Sequence, residues 1–173
     1  MKWLWIVLAV LVGLVVIVAG IGALLPQKHV ATRAARFRQP PDAIWAAITN
    51  MEAFPSWRPG VKSVERLADR NGLPAWREVD NHGQEIPFEV VEWAPPQTLV
   101  ARIADPKLPF GGTWTYVVHA AGGGSELRIT ENGEVYNPIF RFLSRFIFGH
   151  HASIEAYLRA LGRKFGEAVQ LEE

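Results

Sequence analysis

Residues 40–65 read PPDAIWAAITNMEAFPSWRPGVKSVE. Pro41 and Asp42 suit the first turn of a helix, and Ile44, Ala47 and Ile48 recur behind them at helical spacing, with Trp45 beside the stripe. Pro55 and Pro59 then end helical structure, and Gly60 allows the turn that feeds a strand from Val61. A short helix, an aromatic turn broken by prolines and an outgoing strand thus follow one another.

Downstream, five runs alternate as strands do: 61–67, 75–82, 86–93, 99–104 and 113–120. The links DRNG, NHGQ, APPQ, DPKLPFGG and AAGGGS carry the glycine, proline or asparagine that turns need. A sixth run, 126–135, completes the series, and short links imply antiparallel pairing of neighbours. Trp114, Tyr116 and Val118 fall on one face of their strand, and Leu127 and Ile129 on one face of the next. Ile86, Phe88 and Val90 repeat the pattern, so one side of this sheet is apolar and aromatic. Upstream, residues 29–38 alternate as a further strand of modest amphipathicity.

The last element begins at Asn137 and Pro138, good N-cap and first-turn residues, and meets no other proline before Val169. Ile139, Leu143, Phe146, His150, Ile154, Leu158, Leu161 and Phe165 form a stripe at three-to-four spacing, which predicts one long amphipathic helix with a bend permitted at Gly149. That helix is the expected cover for the apolar sheet face.

At the other end, residues 3–25, WLWIVLAVLVGLVVIVAGIGALL, contain no charged or strongly polar side chain. As a helix they reach roughly 34 Å, enough for a bilayer core of about 30 Å. A cleaved secretory signal, with an apolar region of about 7–15 residues, is the alternative, and Gly20 and Gly22 imitate a cleavage site; the longer run favours a retained anchor. Trp3 and Trp5 suit one interface, while Pro26 and Lys28 close the other. Residues 1–27 are therefore read as a transmembrane anchor and 28–173 as one folded domain. The expected location is a bacterial inner membrane, crossed once, with the side of the soluble domain left open.

Apolar residues make up 49% of the 173-residue chain and charged ones 20%, within the globular range. A formal charge of +1 gives no drive toward nucleic acid, and the absence of cysteine removes disulfides and thiolate metal sites. His150 and His151 are adjacent, which on a helix turns them about 100° apart, and no carboxylate stands at metalloprotease spacing. Neither a metal nor a cofactor is expected. AAGGGSE lacks the lysine and threonine of a phosphate loop, and no serine lies in a nucleophile elbow.

The order of elements, PPDAIWAAITNMEAFPSWRPGVKSVE near the start and NPIFRFLSRFIFG before the last helix resemble the SRPBCC superfamily, in particular its bacterial polyketide cyclase/dehydrase-like and lipid-transport-like group, kin of START domains. The resemblance covers residues 29–173 and implies an α+β helix-grip fold, in which a curved antiparallel sheet wraps a long C-terminal helix over a deep apolar cavity. Members bind lipids, sterols, quinones or plant hormones, cyclise polyketides or assist other proteins, and share no catalytic set, so no catalytic residue is carried over.

In the resembled fold FPSWRPGV lies near the cavity mouth, which makes Phe54 and Trp57 candidates for its rim and leaves Arg58 facing water. Phe88, Trp114, Tyr116, Phe142 and Phe146 are the aromatic candidates for its wall. Glu131 continues the Leu127 and Ile129 side of its strand and is the candidate polar group, whereas Glu78, Asp80 and Glu134 are expected on solvated faces. His150, on the helix stripe, is a core or cavity-lining histidine. The expected function is binding of a hydrophobic or amphipathic small molecule, such as a lipid, quinone or polyketide-like compound, by a domain tethered to the lipid bilayer through residues 3–25. A cyclase or dehydratase acting in the same cavity is one alternative, and a protein-interaction module with a filled cavity is another; protein partners stay open.

Overall fold

The computed structural model describes residues 2–172. Helix α1 (Lys2–Leu24) is followed by β1 (Lys28–Phe37), α2 (Pro41–Thr49) and a 3-10 turn, Met51–Ser56. Six strands come next: β2 (Val61–Arg70), β3 (Leu73–Asp80), β4 (Glu85–Ala94), β5 (Thr98–Ile103), β6 (Phe110–Ala121) and β7 (Gly124–Val135). The chain ends in α3 (Pro138–Leu143), a wide helical turn at Ser144–Phe148, α4 (Ala152–Lys164) and a short β8 (Leu171–Glu172).

All the strands join one curved antiparallel sheet in the order β2-β3-β4-β5-β6-β7-β1-β8. Sequence neighbours pair through tight turns, as at Gly122 and Gly123, whose positive φ angles of 55° and 83° match the two-residue hairpin that links β6 to β7. Pairing out of sequence order occurs at β1, which joins the sheet against β7 and takes β8 on its far side.

The inner face of the sheet follows the alternation. Tyr116 stands opposite Ile129 and Val118 opposite Leu127, and all four are buried. Helix α4 lies across this face and buries Ile154, Leu158 and Leu161 completely, while α2 contributes Ile44 and Ile48. Each such side chain stabilises the fold by about 1.5–3 kcal/mol through apolar burial.

The single helix predicted for 137–169 is instead divided. Gly149 adopts φ 74° and ψ 153°, outside helical space, and α4 restarts only at Ala152. The cause lies in what each half packs on: α4 packs on β1, whereas α3 packs on α1. Gly22 of α1 is buried so tightly against the Pro138 backbone that a Cβ there would overlap the Pro138 carbonyl oxygen. Arg141 of α3 donates from Nη1 to the Leu25 carbonyl (2.8 Å) and from Nη2 to the Tyr136 carbonyl (3.3 Å), capping α1 where its own hydrogen bonds run out.

Candidate functional site

Alternation within β3 puts Trp76 and Glu78 on the same face, and pairing with β4 sets them opposite Phe88 and Ile86. Trp76 and Phe88 stack with ring centroids 5.2 Å apart. These four residues begin the wall of a cavity of about 270 Å³, which continues through Leu99 and Ala101 of β5, Phe110, Trp114 and Tyr116 of β6, and Glu131 of β7. Ile48, Phe54, Arg58 and Ser153 close it. A second chamber of about 280 Å³ adjoins it between Arg58–Val61, the end of β3 and the Ala156, Tyr157 and Ala160 face of α4. Arg58, Glu78, Ile86, Trp114 and Ser153 belong to both chambers. Together they reach the scale of small-molecule pockets, about 300–1,000 Å³, with walls that are mainly aromatic and aliphatic.

Two polar clusters break that apolar lining, and Asp80 at the end of β3 adds a further charged group to the second chamber's wall. Glu78 accepts hydrogen bonds from Arg58 Nη1 (2.7 Å) and from Trp76 Nε1 (3.1 Å). The Arg58 guanidinium also lies over the Phe54 ring at 4.7 Å and the Tyr157 ring at 5.1 Å. Burial disfavours the Arg58 charge, but the Glu78 carboxylate together with the Tyr157 and Tyr116 side chains outweighs it, and the pKa rises. Arg58, expected in water, is therefore turned inward, and Glu78, expected on a solvated face, is buried. The signal for Glu78 was its two-residue spacing from Trp76; for Arg58, held by a partner twenty residues away, the local sequence offers none.

The second cluster is built on Glu131. Its carboxylate accepts a 3.2 Å hydrogen bond from Ser153 Oγ and lies 3.3 Å from His29 Nε2. Burial pushes its pKa up, partly opposed by the Ser153 hydrogen bond and nearby histidines. Tyr116 and Tyr157 are pushed up as well, chiefly by burial; the buried Tyr157 hydroxyl has the Tyr116 hydroxyl beside it but no hydrogen bond of good geometry.

Of the sequence candidates, Phe54, Phe88, Trp114, Tyr116 and Glu131 meet around the cavity. Trp57 stands behind it, edge-on to Phe54 (5.5 Å) and Tyr157 (5.2 Å). Phe142 and Phe146 pack against each other at 4.9 Å in the segment beside α1 and do not line it. His150 stacks on His29 with centroids 3.9 Å apart, in a separate cleft of about 210 Å³ where α1 ends. Burial lowers the pKa of both histidines. Among the described residues, no group of three or more His, Asp or Glu is placed to hold a metal ion.

Similarity to known proteins follows the fold. A START superfamily protein from Mycobacterium smegmatis matches with a TM-score of 0.61 at 19% identity, over 79% of this chain and 96% of that one. Norcoclaurine synthase from Thalictrum flavum matches at 0.62 and 14% identity, over 82% and 88%. The di-domain ARO/CYC protein StfQ of the steffimycin biosynthetic pathway matches at 0.62 and 14%, over 78% of this chain and 50% of its own. At these identities the likeness is one of fold. No curated protein matches the chain in sequence. The model of one family, described as polyketide cyclase/dehydrase and lipid transport, matches residues 28–166, which span β1 to the end of α4, and the chain belongs to that family.

Proposed function

We propose that residues 28–173 form a domain that binds a hydrophobic or amphipathic small molecule in the paired chambers, and that residues 1–27 tether it to a bilayer. One observation carries the binding reading: a largely aromatic and aliphatic cavity holds one ion pair, Arg58–Glu78, and a half-buried carboxyl group, Glu131, hydrogen-bonded to Ser153. The apolar body of a ligand would bury its surface on Trp114, Phe88 and Leu99, at about 25 cal/mol per Å². A polar end would meet the Arg58–Glu78 pair and the Tyr157 hydroxyl. α1 is long and apolar enough to cross a membrane. A tether of that kind raises the local concentration of a membrane-dissolved ligand at the cavity mouth.

The test is to isolate the full chain from cells in lipid nanodiscs and compare, by mass spectrometry, the organic extracts of the wild type and of Ala101→Phe, which places a ring in the chamber. Bilayer lipids are common to both, so a hydrophobic compound present only with the wild type is the expected result. Identical extracts from two folded proteins would sink the binding reading. Glu131 favours a second reading, acid–base catalysis on the same ligand, because burial keeps its carboxyl protonated to higher pH. Turnover of the extracted compound that vanishes in Glu131→Gln would move the protein to that class.

A further inference from the structure

We infer that residues 140–148 insert an aromatic tip into the same bilayer leaflet that α1 enters, so that the domain is held against the membrane surface at two places. The inference rests on the reading of α1 as a membrane span. Val18, Ala19 and Gly22 of α1, and Leu25 just after it, are withdrawn from solvent, and α3 is the element that α1 packs on. Residues 18–25 cover only about 10 Å at roughly 1.5 Å per residue. The apolar run of 3–25 barely exceeds a hydrocarbon core of about 30 Å. A helix packed alongside its last two turns must then lie at the level of the headgroups and outer acyl chains rather than in bulk water.

The composition of that segment agrees with such a level. Phe146, Ile147 and Phe148 are 60%, 62% and 65% exposed, and Phe140 is exposed beside them. Ile21 and Leu24 at the end of α1 are exposed apolar residues as well. Residues 137–154 contain no carboxylate, and the cleft beside the tip is lined by Lys28, Arg141, Arg145 and His150, again with no acidic side chain in its wall. Two exposed cations at the rim, Arg145 and Lys28 (3.5 Å from Glu134), with aromatic rings beyond them, match the charge order of an anionic bilayer, phosphates outside and acyl chains within. Arg141 fixes the segment to α1 through the Leu25 carbonyl, so tip and span move as one piece.

Because the chain has no cysteine, single cysteines can report on depth. Leu11→Cys, Ile147→Cys and Lys62→Cys, made in the full chain and labelled with an environment-sensitive fluorophore, would be placed in vesicles of phosphatidylcholine and phosphatidylglycerol. Blue-shifted emission and quenching by lipid-borne spin labels are expected at 11 and 147, and neither at 62. Quenching at 11 without quenching at 147 overturns the inference and leaves the anchor intact. No quenching at either position removes the anchor reading and this inference with it. A probe at 147 that is shielded from water yet untouched by lipid quenchers would mean that protein, most simply a second copy, covers the tip, and would also overturn the inference.

Discussion

Residues 138–148 and 152–164 both repeat apolar side chains at helical spacing, yet the first leaves Phe140 and Phe146 to Phe148 exposed and the second hides its large side chains. Leu158, Leu161 and Ile154 of α4 are fully buried against the sheet, whereas Phe146 to Phe148 stand out from the surface. The difference lies in the partner. α4 meets a sheet face that is itself apolar, while α3 meets α1, which offers one narrow strip and leaves the other faces of a segment that is apolar all round without cover. Periodicity thus shows that a helix has an apolar side, and only the tertiary arrangement shows which medium that side faces.

That contrast can be broken most forcefully at Leu158. Replacing it with alanine should cost about 2–5 kcal/mol in denaturant unfolding of the full chain in mild detergent. A loss below about 1 kcal/mol would mean that α4 is not the cover of the core. The same face of α4 closes over the Arg58–Glu78 pair through Tyr157. Glu78→Gln leaves a half-buried guanidinium beside a neutral amide, and a cost of about 3 kcal/mol is expected in the same assay.

The joint between the halves offers a test of sign. In a continuous helix, Gly149→Ala would stabilise by about 0.5–1 kcal/mol. At the observed φ of 74°, a conformation that residues with a Cβ rarely adopt, a loss of about 1 kcal/mol is expected instead.

His29 and His150, stacked at this joint, also give it a pH dependence. The charged and titratable groups around them are Glu131, Arg145 and His151. Both histidine pKa values lie below 6.5, so the unfolded chain binds the protons more readily. Their contribution is complete above about pH 6.5 and is lost as the pH falls through the folded pKa values. The two histidines should therefore make stability decline on acidification below about pH 6.5, while Glu131, whose pKa is raised, acts in the opposite sense. In His29→Gln/His150→Gln the slope should shift toward greater stability at low pH. An unchanged slope would show that the stack is not the titrating element. The smallest effect belongs to the exposed half: Phe148→Ser should change unfolding stability in detergent by no more than about 0.5 kcal/mol.

The sheet was largely legible because its signals are local. Strand alternation and turn residues located β1 to β7 and their facing, down to Tyr116 and Ile129 on one side. The two-residue β8 was not, since its pairing with Ala34 and Ala35 depends on where the chain returns after α4. The cavity was half legible. Phe88, Trp114, Tyr116 and Glu131 share strand faces that parity reveals, but Arg58 sits in a turn whose proline and glycine say only that the chain bends. Its inward direction is set by the distant Glu78. His150 shows the converse: its place on a helical stripe depended on a helix continuous through Gly149, and the break carries it to His29 instead.

The central claim is that the chambers hold a hydrophobic molecule, and ligand-linked stability tests it directly. A ligand that binds the folded state alone stabilises it by RT ln(1 + [L]/Kd). The hydrophobic fraction extracted from the wild type, titrated into delipidated full-length protein in detergent, should raise the thermal midpoint progressively and leave that of folded Ala101→Phe unchanged. Equal rises in the two proteins, or none in either, would contradict the account.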